Sequence, residues 1–162
     1  MDLNDIIVGI GDIKIAEGEI DIVTYALGSC VGVCMYDEVL GVGGMLHAVL
    51  PSAQNPNSKV NPERYVDSGI LLLFNRLVSM GADMGRLKVK LVGGAKMYDY
   101  KTSMREVDIG MANVMQAKKL LRKLGISIVR EVTGGEVGRT VHFIPANGRV
   151  EIHSTDNRRE VI

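Results

Sequence analysis

The amino-acid sequence predicts an α+β fold, with two amphipathic helices set among about eight short strands. Three observations predict it. Short runs rich in valine and isoleucine recur between glycine- and aspartate-containing turns. Two longer segments carry apolar residues at helical spacing. The strands cluster and do not alternate with helices, which argues against a doubly wound parallel sheet. The chain has 162 residues, 46% hydrophobic and 23% charged. That suits one domain, 1–162, with a substantial core, and no repeat or linker divides it.

The elements follow in order. Residues 6–10, 13–16 and 20–26 read as strands, separated by Gly11-Asp12 and Glu17-Gly18. Residues 30–36 and 42–50 read as the arms of a β-hairpin, with 37–40 between them. The polar, proline-punctuated stretch 51–62 reads as an exposed loop. Asn61-Pro62-Glu63 then supplies an N-cap, a proline at the first helical position and an early acid. Val66, Ile70, Leu73, Phe74 and Leu77 fall on one face of that helix, and Gly81 ends it. Residues 87–92 form a strand closed by Gly93-Gly94. A second helix runs from about Gly110 to Leu124, burying Met111, Val114, Met115, Leu121 and Leu124, with Gly125 just beyond. Residues 126–132, 140–144 and 149–153 are further strands. The methionines read as core filling.

Composition bounds the function. Acidic and basic side chains balance at 19 each, and there are no tryptophans and two phenylalanines. No net field and no basic, aromatic-interleaved run draws the chain to nucleic acid. No apolar stretch approaches the ~20 residues that span a bilayer. The acidic start Met-Asp-Leu-Asn-Asp does not resemble a secretory signal. Two cysteines are too few for a disulfide framework, so the cytoplasm is the expected compartment and a thiol stays free for chemistry.

The informative segments are Thr24-Tyr25-Ala26-Leu27-Gly28-Ser29-Cys30 and Gly43-Gly44-Met45-Leu46-His47. A two-residue turn at Glu38-Val39 sets a hairpin register in which Cys30 faces His47, Cβ atoms about 5 Å apart. A longer loop or a bulge would move that register. A thiol is mostly protonated at neutral pH, and an adjacent imidazole can take its proton and later return it to a departing amine. Thr24 is the candidate third member, its hydroxyl or carbonyl accepting from the imidazole. Gly28-Ser29 permits a tight turn in which the amides of Ser29 and Cys30 face a developing oxyanion. Against this stands the ordinary reading, in which a cysteine in a valine-rich strand is a small buried apolar residue. Cys34 fits that reading. A zinc site of Cys30, Cys34 and His47 lacks a fourth ligand. His142 and His153 read as surface or structural. Gly93-Gly94 and Gly134-Gly135 lack the spacing of phosphate loops and read as strand-end turns that let a substrate backbone approach.

Leu27-Gly28-Ser29-Cys30-Val31 and Gly44-Met45-Leu46-His47-Ala48-Val49-Leu50-Pro51 resemble the chemoreceptor glutamine deamidase family, CheD. So do Tyr65-x-Asp67, Gly93-Gly94-Ala95-x-Met97, Ile109-Gly110-x-x-Asn113, and Gly134-Gly135-x-x-Gly138-Arg139 with Phe143. The ordered set covers nearly the whole chain. The resemblance implies hydrolysis of glutamine side-chain amides on methyl-accepting chemoreceptors, giving glutamate and ammonia, with no cofactor. It places Cys30, His47 and Thr24 at the catalytic positions, while the turn chemistry of Gly28, Ser29, Gly93 and Gly94 makes these the candidates for the oxyanion and substrate side. It implies a β-sandwich core flanked by helices, similar to cysteine-dependent deamidase toxins, and a CheC-type phosphatase as a partner. Val92 and Ala112 stand where the family usually has phenylalanine and arginine, at positions expected to touch substrate or partner. Two rivals remain at this point: a non-catalytic module that binds phosphatase or receptor, and a methylesterase acting on receptor glutamates.

Overall fold

A computed structural model describes residues 3–55, 61–97 and 108–162. Ten strands, two α-helices and one 3-10 turn are found among them, in two mixed sheets of five strands each. The strands are β1 (Ile6–Ile7), β2 (Asp12–Glu17), β3 (Ile22–Leu27), β4 (Val31–Asp37), β5 (Val42–Ala48), β6 (Lys88–Gly93), β7 (Ser127–Thr133), β8 (Arg139–Ile144), β9 (Arg149–Ser154) and β10 (Arg159–Val161). The helices are α1 (Val66–Ser79) and α2 (Ile109–Leu124). The outer sheet runs β1-β3-β8-β9-β10 and the central sheet β2-β5-β4-β6-β7. The pairs β1–β3 and β6–β7 are parallel and the other pairs antiparallel. The fold is α+β, as the clustering of strands predicts. The short β10 has no counterpart in the sequence reading.

Strand alternation sorts the core into two layers. On β4, Val31, Val33 and Met35 face the helices and pack with Ile70, Leu73, Leu77, Ala117 and Leu121. The intervening Cys34 and Tyr36 face the outer sheet and meet Ile22, Leu27, Val141, Phe143 and Ile152. The order is outer sheet, central sheet, helices. Because β5 lies between β2 and β4, it is an interior strand of the middle layer, the most constrained place the fold offers.

Four sequence expectations are corrected. The hairpin turn has four residues, Glu38 to Gly41, because Asp37 pairs with Val42. Buried Asp37 is the cause: its Oδ1 accepts from the amides of Val39 (3.1 Å) and Leu40 (3.2 Å), and Arg86 and the Asp83 amide close on the same carboxylate. The Arg86 guanidinium holds that carboxyl well below the usual carboxylate range. Replacing Asp37 by alanine leaves the turn amides unpaired and is expected to lower stability by about 3 kcal/mol. The shift would be read from the urea midpoint at unchanged slope.

The first helix starts later than Asn61-Pro62-Glu63 suggests. Asn61 is left-handed (φ 52°) and makes no side-chain cap, and Pro62–Arg64 is a single 3-10 turn. Tyr65 is extended, and α1 begins only at Val66. Tertiary pairing wins over the local signal: Tyr65 bridges Leu50, and the Arg64 carbonyl accepts from Val49. At its other end Gly81 and Ala82 donate to Val78 and Leu77, a Schellman closure at the predicted glycine.

Met111 and Met115 of α2 are exposed (57% and 63%), not buried, while Gly110, Asn113, Val114, Ala117 and Leu121 face inward. The first turn of α2 lies against the backbone of Gly94 and Ala95, where any Cβ on Gly110 would collide with both carbonyls. Small residues must therefore face in, and the methionines turn out. Finally, Val92 is fully buried between the sheets, so it offers no surface to a substrate or partner; Ala112 is half-buried on α2. The expected loop 51–62 lies partly outside the described residues.

Candidate functional site

The site is assembled at one end of the gap between the two sheets. The observed register places Gly32, not Cys30, opposite His47. Cys30 is the next residue of the same parity and packs, half-buried, into the same intersheet cluster. It stands two residues before Gly32, in the bend that leads into β4. Gly32 puts no side chain between Cys30 and His47.

Thr24 comes from the facing sheet. Its Oγ1 lies 2.7 Å from His47 Nδ1 and 2.9 Å from the Val8 carbonyl oxygen, and Thr24 and His47 are both fully buried. A hydroxyl has one hydrogen, and a carbonyl can only accept, so Thr24 donates to Val8. It then accepts from His47, which fixes the proton on Nδ1 and leaves Nε2 as a bare acceptor. Among the described residues Nε2 is buried with no hydrogen-bond partner. A ring nitrogen with a free lone pair, held by the other end of its ring, is the arrangement a general base needs.

Charges reinforce this. Burial lowers the His47 pKa to about 4. Burial also pushes the Cys30 thiol up, partly offset by its own backbone N–H and the charge of Arg64. For each group, then, burial favours the neutral form over the charged one. Cys34 is fully buried beside Lys90, its thiol pushed up to about 12.

Between Thr24 and Cys30 the chain makes two moves that sequence reasoning did not anticipate. A β-bulge interrupts the β3–β8 ladder between Thr24 and Leu27, with Ala26 in the left-handed region (φ 55°). The loop 28–30 is then stitched to the rest of the protein through three successive carbonyls. Ala95 N donates to Gly28 O at 2.9 Å, Asn113 Nδ2 to Ser29 O at 2.9 Å, and Gly94 N to Cys30 O at 2.8 Å. Asn113 entered the sequence reading only as a motif letter.

Gly28 and Ser29 thus lie in the loop before Cys30, and Gly28 sits under the side chain of Met97. Gly93 and Gly94 also carry a packing role against the Cys30 loop. Both have positive φ (107° and 65°), and a Cβ on Gly93 would strike the Cys30 carbonyl. The Gly94 amide is engaged by Cys30 O, which removes it as a donor to substrate. His142 and His153 lie on the outer sheet, bonded to Asp21 and Glu151 at 2.8 Å each; His142 pairs with Val23, next to Thr24, but alternates with Val141 and Phe143, which face the intersheet cluster, and so points to the other side.

Comparison with known proteins places the chain in a family. Residues 49–154 match the family described as CheD chemotactic sensory transduction. A protein of Pyrococcus horikoshii is 47% identical over 150 residues, covering 93% of this chain and 92% of its own length. A Thermococcus kodakarensis protein is 42% identical over 154 residues (95% of each chain). One from Clostridium tetani is 37% identical over 152 residues, 94% of this chain and 92% of its own. Each of the three carries the name probable chemoreceptor glutamine deamidase CheD. The family match starts just past His47, whereas alignments of that length necessarily take in Thr24, Cys30 and His47. With two thirds of the sequence matched and relatives aligned nearly end to end, the chain belongs to the CheD family.

Proposed function

We propose that this protein hydrolyses glutamine side-chain amides of chemoreceptors to glutamate and ammonia, with Cys30 as nucleophile, His47 as general base and Thr24 as the group that orients His47. The observation that carries the reading is the tautomer-fixed His47, whose unpartnered Nε2 shares the intersheet face with Cys30. The names of the relatives supply the substrate class.

The reaction balances through one nitrogen. The Cys30 proton passes to Nε2 as Sγ bonds to the glutamine Cδ, and the carbonyl oxygen becomes an oxyanion. The amides of Ser29 and Cys30 hold it. As the tetrahedral species collapses, the C–N bond breaks and the Nε2 proton leaves on ammonia, giving a thioester. Water then gives a proton to Nε2 and its hydroxide to the thioester carbon. Collapse expels the thiolate, which recovers that proton. Proton transfer to Nε2 accompanies the attack of Sγ, so the sulfur bonds to Cδ as it loses its hydrogen.

A CheC-type phosphatase is the second partner that the family resemblance adds to this proposal. No helix is long and apolar enough to cross a membrane among the described residues.

Incubating the protein with purified receptor cytoplasmic fragment tests the function. Expected are a gain of about one dalton at specific glutamines and release of ammonia in equal amount. Release of methanol from methylated fragment without ammonia would make the protein a methylesterase. Neither product would leave a binding module.

A further inference from the structure

We infer that Asn113 is a positioning residue for the proposed reaction: from α2 it clamps the Cys30 loop to the end of the His47 strand and thereby sets the geometry between thiol and imidazole. Its Nδ2 donates to Ser29 O at 2.9 Å and to Val49 O at 3.0 Å. One carbonyl precedes the nucleophile by one residue, and the other follows the base by two. Both neighbours are acceptors, so the amide has only one sensible orientation, with nitrogen towards the carbonyls. Among standard side chains of this length only a primary amide brings two N–H groups on one atom. Aspartate brings none, and glutamine adds a methylene that displaces the donor.

The peptide geometry gives the clamp a second effect. A trans peptide directs its C=O and the next N–H to opposite sides, and no cis peptide is present among the described residues. Drawing Ser29 O towards α2 therefore turns the Cys30 N–H away from α2. Ala95, by holding Gly28 O, does the same for the Ser29 N–H. These two amides are the donors assigned to the oxyanion. Asn113 thus fixes one of them through the peptide it grips, as well as the spacing of Cys30 and His47.

Asn113 is fully buried, and its Oδ1 is buried with no hydrogen-bond partner among the described residues. An unsatisfied buried acceptor destabilises; here it accompanies the two donations by which the same amide holds the Ser29 and Val49 carbonyls. The close seat of Gly110 on Gly94 and Ala95 brings the helix near enough for the short side chain to reach both carbonyls.

This inference rests on Cys30 and His47 being nucleophile and base, and a double-mutant cycle separates the two. Alkylation of Cys30 by iodoacetamide, located by peptide mass spectrometry so that Cys34 does not intrude, is followed from pH 5 to 10. The proteins compared are the unmutated protein, His47→Gln, Asn113→Leu and the double variant. Expected is that His47→Gln slows alkylation near pH 7 and shifts its profile in the unmutated protein, yet changes nothing further once Asn113 is leucine. Deamidation kcat falls about 100-fold in Asn113→Leu, as misplacement of reacting groups by about 1 Å predicts, with KM little changed. If His47→Gln slows alkylation by the same factor in both backgrounds, Asn113 does not position the pair and the inference is overturned. If the thiol of the unmutated protein ignores His47, the cysteine mechanism falls and takes this inference with it. Thermal melting confirms folding of each variant. Asn113→Ala, which removes the donor without a shape conflict, is the replacement should leucine not be accommodated, with the same expected and overturning results.

Discussion

Cys30→Ala is expected to abolish ammonia release from receptor fragments, by at least about 10⁴-fold in kcat, while the protein melts as before. The size follows from the chemistry. The thioester cannot form without sulfur, and water attacking directly would lack a nucleophile placed beside the oxyanion donors. The small structural cost follows from position. Cys30 is only half-buried, at the mouth of the intersheet layer, and β4 begins one residue later. Its loop is held by backbone and Asn113 hydrogen bonds, not by the thiol. Losing one sulfur contact there is worth about 1 kcal/mol at most. Steady-state ammonia assay beside a melting curve checks both halves. Retained turnover in a folded Cys30→Ala protein would remove the thiol from the mechanism. Cys34 cannot stand in, since burial leaves its thiol protonated up to about pH 12.

His47→Gln gives the second large effect, about 10³-fold in kcat/KM, within the range for loss of a general base. It also carries a pH signature. The unfolded chain takes up a proton at this histidine near pH 6.5 and the folded chain only near pH 4. Between those values the unfolded state binds more protons, so folding stability is full above about 6.5 and falls as pH drops towards 4, by about 3 kcal/mol in all. Glutamine does not titrate, and the variant loses this component of the acid sensitivity. In the parent protein the activity should show no acidic limb near 6.5. Because the reacting form carries its hydrogen on sulfur and none on Nε2, activity should hold level through neutral pH and fail on the acid side only near pH 4. Denaturant unfolding at pH 4.5 and 7.5, and the kcat/KM profile over the same range, check these outcomes. An activity limb centred near 6.5 would mean that His47 is solvated in the working enzyme.

The sequence carried the element types well because strands and helices are local statements. Patterns of valine and isoleucine locate β4, β5, β6 and β8 within a residue or two, and α2 ends at its predicted glycine. What it could not carry was register and facing. The hairpin arithmetic assumed the shortest turn, and the true turn is lengthened by an arginine 49 residues away in sequence. The facing of α2 is decided by the backbone of Gly94 and Ala95, a partner with no side-chain signature in the helix itself. Thr24 and His47 meet across two sheets, so no strand-pairing argument could join them; Thr24 was named as the third member from its hydroxyl and its place before the cysteine, and by the family resemblance. Asn113 was visible as a letter in a motif, but its two carbonyl partners belong to separate segments.

The single hydrogen of the Thr24 hydroxyl has one more consequence. It is committed to the Val8 carbonyl, and a carbonyl cannot pass a proton onward. The buried side of the imidazole is therefore a closed end, and in the proposed reaction all proton traffic runs through Nε2. That makes each half-cycle self-contained: the hydrogen taken from sulfur departs on nitrogen, and the one taken from water returns to sulfur. Bulk buffer is not a reactant, and turnover should proceed at the same rate in dilute and concentrated buffer of equal pH and ionic strength.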